Sequence, residues 1–313
     1  MRVFLGAITK NLGDKFALFK PFTELLMSQL PMLEVFIYEN NSTDSTPENL
    51  RCWAKSNPRV HVATENYPLE FFLERGRART YDNLPCRLEV HAFCRNKMME
   101  MMEAAGMGLE ESDLTIVMDP DIPTLWPPDV LVQLCSFFPD GADALFANGL
   151  ATNGRYYDTY TYFDQTYPFG MELIAEERVL SEKYPAVSSS ILQDSPPRRV
   201  FNAFGGLALY RSQHIRGLRY SGVVTPDLHA MNLQICRAFP ENPYVLAAKE
   251  KPTTHWQGAQ VGMYMFDREL FYHNNSGYNY PVVCEHVTFF LDMRSNGHDR
   301  IYMCTDLVWN FNR

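Results

Sequence analysis

A chain of 313 residues with 46% apolar side chains is long enough to build one large domain around its own core. Its net charge of −9 lacks the basic footprint of nonspecific nucleic-acid binding. No apolar run approaches the roughly 20 residues of a membrane span, and the seven cysteines, with no C-x-x-C pair, suit reduced thiols in a cytoplasmic protein.

Val3–Ile8 reads as a first strand, without the longer apolar region and cleavage site of a signal peptide. Asp14–Leu30 has helical apolar spacing, with capping side chains from Asn11 to Asp14. Leu33–Tyr38 is a second strand, Ser45–Ser56 a helix and Val60–Thr64 a third strand. Leu84–Ala105 is a long helix, and Leu114–Met118 is a fourth strand, too short and too β-rich for a helix. Pro127–Phe138 is a helix with prolines in its first turn, and Ala142–Ala147 is a fifth strand. This alternation predicts an α/β fold, a Rossmann-type mixed, mostly parallel central sheet flanked by helices. The second half is less regular. Residues 151–200 and 221–282 are rich in Tyr, Phe and Pro, Val200–Arg211 reads as a core strand, Cys284–Gly297 as a helix and Arg300–Cys304 as a last strand. With no linker between the halves, one domain over residues 1–313 is expected, with a nucleotide-binding part over about 1–150 and an acceptor-shaping part over about 151–313.

The chemistry concentrates at Asp119-Pro120-Asp121. Two carboxylates one residue apart, where a strand ends, offer hard oxygens for Mn²⁺ or Mg²⁺ and leave positions open for phosphate. The alternative for this tripeptide is a turn with an Asx cap. Strand ends in open α/β sheets bind ligands, which marks Ile8 and Thr9 as pocket residues and Glu39 and Asp44 as acceptors for ribose or base; Asp44 also suits a helix cap. Arg87, His91 and Arg95 share one helix face, either as a solvated basic stripe or with Arg95 reaching phosphate or the carboxylates. Gly205-Gly206 inside an apolar run marks a bulge or a close approach. Glu285 and His286 open a helix. They are a general base and a third metal ligand or phosphate contact, or else a cap with a surface histidine. Tyr156, Tyr157, Tyr160, Tyr162 and Trp256 are candidates to stack on sugar faces.

The order of these segments resembles GT-A-type glycosyltransferases. The segments are E-N-N-S-T-D-S-T from Glu39, R-L-x(6)-R-N from Arg87, Asp119-Pro120-Asp121, Asn148-Gly149 with Tyr157-Asp158, F-G-G-L-A-L-Y-R from Phe204, and C-E-H-V-x-F from Cys284. More narrowly, the set is similar to the fungal capsule-associated α-1,3-mannosyltransferase family and related bacterial and large-DNA-virus sequences. The resemblance implies a nucleotide-diphosphate sugar donor, a divalent metal and transfer to a hydroxyl of a glycan or glycoconjugate. It places Asp119 and Asp121 at ribose and metal, Glu39 and Asp44 in the nucleoside pocket, Arg95 beside the diphosphate, Gly205 and Gly206 next to the donor sugar, and Glu285 on the acceptor side. The stretch between Tyr220 and Cys284 is longer than the resemblance accounts for and holds Asp227, a second candidate for the catalytic carboxylate. The competing readings are a non-catalytic glycan- or nucleotide-binding protein and a metal-dependent phosphatase or nucleotidyltransferase.

Overall fold

The structure is a computed structural model that describes residues 1–80, 82–121, 128–150, 156, 158, 160–169, 173, 196–241, 243–251, 262–273 and 278–310. Its first half alternates strands and helices: β1 (Val3–Thr9), α1 (Phe16–Gln29), β2 (Leu33–Asn40), α2 (Thr46–Ser56), β3 (Val60–Glu65), α3 (Leu69–Arg75), α4 (Arg87–Ala104), β4 (Leu114–Met118), α5 (Pro128–Ser136) and β5 (Ala144–Leu150). There follow β6 (Arg198–Arg199), β7 (Leu207–Arg211), α6 (Ser212–Ile215), α7 (Pro226–Ala238), β8 (Val245–Ala247), β9 (Gly262–Phe266), β10 (Glu269–His273), α8 (Glu285–Ser295) and β11 (Ile301–Asn310).

Eight strands form the main sheet in the order β3-β2-β1-β4-β7-β5-β11-β6. The pairs β3–β2, β2–β1, β1–β4 and β5–β11 are parallel, whereas β7 runs antiparallel to both β4 and β5, and β6 antiparallel to β11. The sheet is therefore mixed and mostly parallel, and it draws strands from both halves of the chain. Its strands bury both faces, the expected consequence of parallel pairing under helices. Val3, Leu5 and Ala7 point to the layer of α1, α2 and α5, with Phe19, Leu26, Trp53 and Leu131. Phe4 points to the layer of α4 and α8, with Met98, Met102, Phe289 and Phe290. Gly6 lets α4 close on β1, since a Cβ there would lie 2.7 Å from Met98 Sδ.

Several expectations change. The long helix starts at Arg87, because Pro85 and Cys86 precede it in extended and bridging backbone. The predicted strand Val200–Arg211 is a strand only from Leu207. Gly205 and Gly206 take left-handed φ values of +59° and +83°, and Leu207 N–H donates to Phe204 O (3.2 Å), which closes a tight turn. Helix α7 was missed inside the aromatic-rich stretch, although Thr225-Pro226 signals it: Thr225 Oγ1 accepts Leu228 N–H, and Pro226 occupies the first turn. Also missed were α3, which buries no side chain, and the three-stranded sheet β10-β9-β8. With α7 and one side of α8 that sheet forms a separate apolar cluster around Leu228, Met263, Leu270 and Val287. Among the described residues no helix is long and apolar enough to cross a membrane.

Candidate active site

The strand order turns outward in both directions between β1 and β4: β2 and β3 lie to one side, β7 and β5 to the other. In open α/β sheets the crevice at such a reversal, beyond the carboxyl ends of the strands, is where ligands bind. Ile8 and Thr9 end β1, Glu39 pairs with Thr9 in register on β2, and Asp119 follows β4. Gly205 and Gly206 reach the same edge because β7 is antiparallel, and Asp119 N–H donates to Gly206 O (2.9 Å).

Arg95 on α4 joins two elements at this edge. Its Nη2 donates to Asp119 Oδ1 and its Nε to Glu285 Oε1, each at 3.0 Å. The side chain is only 5% exposed, whereas Arg87 on the same face is exposed and His91 is 34% exposed, so the face is solvated at its start and buried at Arg95. Nη1 is buried and, among the described residues, has no hydrogen-bond partner. The charges explain the titration of the pair. Burial would raise the Glu285 carboxyl, but the Arg95 charge beside it holds it down, at about 2. Burial lifts Asp119 to about 7 against Arg95, and the neighbouring charges of Asp121 and Asp158 add to the rise. Asp121 itself is exposed and meets Lys15 Nζ at 3.6 Å.

Asp119, Asp121, Asp158 and Glu285 thus share one electrostatic neighbourhood with a single buried arginine, and the surplus is negative. Asp119 keeps one carboxylate oxygen clear of Arg95, and Asp121 reaches solvent, so this donor set fits a hard divalent cation that retains open positions. His286 does not join them. It is 2% exposed, stacks on Phe204 at 3.8 Å between centroids, and adjoins Tyr220 and Glu285; neither aspartate is among its contacts. Burial, then the Arg95 charge, pushes its imidazole well below the usual histidine range, so it is neutral, and among the described residues neither ring nitrogen has a hydrogen-bond partner. The apolar residues that follow it, Val287, Phe289 and Phe290, turn the helix start into the core. Among the described residues, Asp143, His214 and His298 also cluster at metal-ligand spacing, but at the opposite edge of the sheet. There the Arg300 guanidinium occupies both Asp143 oxygens, at 3.2 and 3.0 Å.

At the end of β2, Glu39 is 1% exposed; its Oε1 accepts Ser42 N–H (2.7 Å), and its Oε2 is buried and without a hydrogen-bond partner among the described residues. A buried carboxylate oxygen left bare is costly unless a donor arrives. Asp44 is committed to structure: its oxygens accept Thr46 N–H (2.9 Å) and Gly13 N–H (3.0 Å), stitching the loop after β1 to the start of α2.

No protein-family model and no curated protein matches the sequence. Among solved structures the chain is similar to the 1–349 fragment of S. aureus TarS, at 15% identity, covering 70% of this chain and 50% of that one, with a TM-score of 0.37. It is also similar to the mannosyltransferase PcManGT from Pyrobaculum calidifontis in complex with GDP-Man and Mn²⁺, at 17% identity, covering 75% and 52%, with a TM-score of 0.35. A third is glucosyl-3-phosphoglycerate synthase from Mycobacterium tuberculosis with Mg²⁺ and uridine diphosphate, at 12% identity, covering 78% and 66%, with a TM-score of 0.35. The chain spans about half the length of the first two. Likeness at this level does not decide chemistry, which rests on the residues themselves.

Of the two carboxylates expected to do acid–base work, Glu285 is locked to Arg95, and Asp227 sits exposed in the first turn of α7, where the charge it acts on is Asp292, two turns along α8 from Glu285. Asp158 lies in the same cluster. Its Oδ2 accepts Gly205 N–H (3.3 Å), and burial, against bonds from Thr161 and Gly205, raises its carboxyl to about 6. The sequence placed Asp158 only in the Tyr157-Asp158 segment of the resemblance, because the groups that act on it, Gly205 and Glu285 among them, come from distant parts of the chain. Of the aromatics, Tyr156 and Tyr162 are buried and Tyr160 is exposed, whereas Tyr157 and Trp256 lie outside the described residues.

Proposed function

We propose that the chain is a metal-dependent glycosyltransferase of the GT-A type, transferring a sugar from a nucleotide-diphosphate sugar to a hydroxyl of a glycan or glycoconjugate acceptor. The observation that carries the reading is Asp119, with Asp121 two residues on, at the β1/β4 crevice against a buried arginine whose Nη1 is unpaired among the described residues. The narrower likeness to the fungal capsule-associated mannosyltransferases rests on motif order.

In this reading Asp119 and Asp121 hold Mn²⁺ or Mg²⁺, which when bound offsets the charge that gathers on a departing diphosphate. Arg95 contributes fixed positive charge and two free N–H donors in a partly dry site, where such groups act most strongly. Glu39 Oε2 accepts an N–H of the base or a ribose hydroxyl. Thr9, beside Glu39, and Ile8 line the floor of the nucleoside pocket. Glu285 is a positioning residue: a carboxylate held at about 2 is a weak base, and its hydrogen bond fixes the Arg95 guanidinium. Asp158, beside the Gly205-Gly206 turn at the donor-sugar end, takes the acceptor proton, a task suited to a carboxyl near 6.

Incubation with a panel of nucleotide-diphosphate sugars and Mn²⁺ tests the proposal. Donor hydrolysis or transfer with at least one sugar is expected. Folded protein that turns over none of them refutes it, and release of phosphate or pyrophosphate without sugar transfer identifies a phosphatase or nucleotidyltransferase instead. Asp121→Asn is expected to abolish Mn²⁺-dependent nucleotide binding by calorimetry.

A further inference from the structure

A cavity of about 330 Å³ opens between α7 and α8, away from the carboxylate cluster, a size at the small end of ligand pockets, which run from roughly 300 to 1,000 Å³. Its walls are apolar: Phe201, Met231, Ile235, Val287 and Leu291. On α8, Val287, Leu291 and Arg294 are spaced i, i+4 and i+7 and share this face, whereas Glu285 points to Arg95 on another.

Two polar side chains in the lining lack the partners that such groups normally have. Asn202 is 3% exposed, yet among the described residues neither its amide nitrogen nor its amide oxygen finds a hydrogen bond. Arg294 is half-buried and its guanidinium lies over the Phe201 ring at 4.4 Å, and among the described residues that guanidinium has no hydrogen bond or ion pair. The carboxylate within reach of its charge, Asp299, is taken by Arg199 Nη2 at 3.0 Å. Five guanidinium N–H donors in the lining of an apolar cavity, with no anion supplied to them by the described residues, are complementary to an anion joined to an apolar body.

We infer that this cavity binds a single-chain amphiphile with an anionic head, its hydrocarbon tail between α7 and α8 and its phosphate or carboxylate on Arg294. Asn202 provides a donor and an acceptor for a polar atom of the same ligand inside the cavity. The inference does not depend on the glycosyltransferase reading, because no residue assigned to donor binding lines the cavity.

Calorimetric titration of the full chain with decyl phosphate, below its critical micelle concentration, tests it. Saturable binding of one molecule per chain is expected. Arg294→Gln should weaken it about tenfold or more, the usual scale of a lost charged hydrogen bond. Ala238→Trp, placed at the exposed rim of the cavity, should block it to at least the same extent. Decanol and inorganic phosphate, the tail and the head alone, should each bind at least tenfold more weakly. Urea midpoints of both variants report folding; if Arg294→Gln lowers its midpoint, Ala238→Trp decides. Absence of saturable binding, equal affinity in wild type and in the deciding variant, or either half-ligand binding as tightly as decyl phosphate overturns the inference.

Discussion

Replacing Arg95 with methionine removes the cation from a buried bridge while keeping an unbranched side chain of similar reach. In the native chain the Glu285 carboxyl sits at about 2 against an ordinary value of 4.5. At about 1.36 kcal/mol per pH unit, that difference is about 3 kcal/mol of charge stabilisation. Breaking a buried pair by deleting one partner costs about 3–5 kcal/mol, because the other charge stays buried and uncompensated. Both routes give a loss of at least about 3 kcal/mol for Arg95→Met, a fall of about 1 M in the urea midpoint if m is about 3 kcal/mol/M. The double variant Arg95→Met/Glu285→Gln should recover about 2 kcal/mol of that loss, since Asp119 is 25% exposed and can be solvated. A pH arm checks the cause. Without Arg95 the Glu285 carboxyl titrates above its unfolded value, so the penalty is small at low pH and grows as pH rises, making the variant's deficit larger at pH 8 than at pH 5. A loss under about 1 kcal/mol, or a double variant whose costs simply add, would refute the reasoning.

Other consequences are measurable separately. Burial resists ionisation of Asp143, but the hydrogen bonds and charge of Arg300 hold its carboxyl below the usual aspartate range. Its stabilisation is therefore complete above the unfolded value and is lost as pH falls through the lower folded one; Asp143→Asn should flatten the acid limb of the stability–pH curve, and an unchanged limb refutes this. Gly205→Ala places a Cβ 2.4 Å from Ala147 O at a φ of +59°. It should cost about 3 kcal/mol or more, read as a drop of several degrees in the thermal midpoint. Asp44→Ala deprives two backbone N–H groups of their acceptor and should cost about 1 kcal/mol in urea unfolding without changing Mn²⁺ affinity, since Asp44 is a stitch between loops.

The strand–helix alternation of the first half was readable because each of those elements satisfies its pattern locally. Leu114–Met118 is a continuous apolar run ending at two aspartates, and the same run is the β4 strand. The Asp119-Pro120-Asp121 tripeptide was visible for the same reason, as was the helix face bearing Arg95. Neighbouring residues could not reveal the antiparallel course of β7, because Leu207–Arg211 is equally apolar in either direction, and its sense depends on which strands it meets. The partner of Glu285 was likewise hidden. A glutamate at a helix start is a cap, a base or a counter-ion according to what faces it, and here it faces an arginine 190 residues earlier in the chain. Local order along the chain thus decided which segments are strands and helices and where carboxylates stand at a strand end. Tertiary packing alone decided which charges are buried together, and burial sets the strength of each charge by removing the water that would screen it.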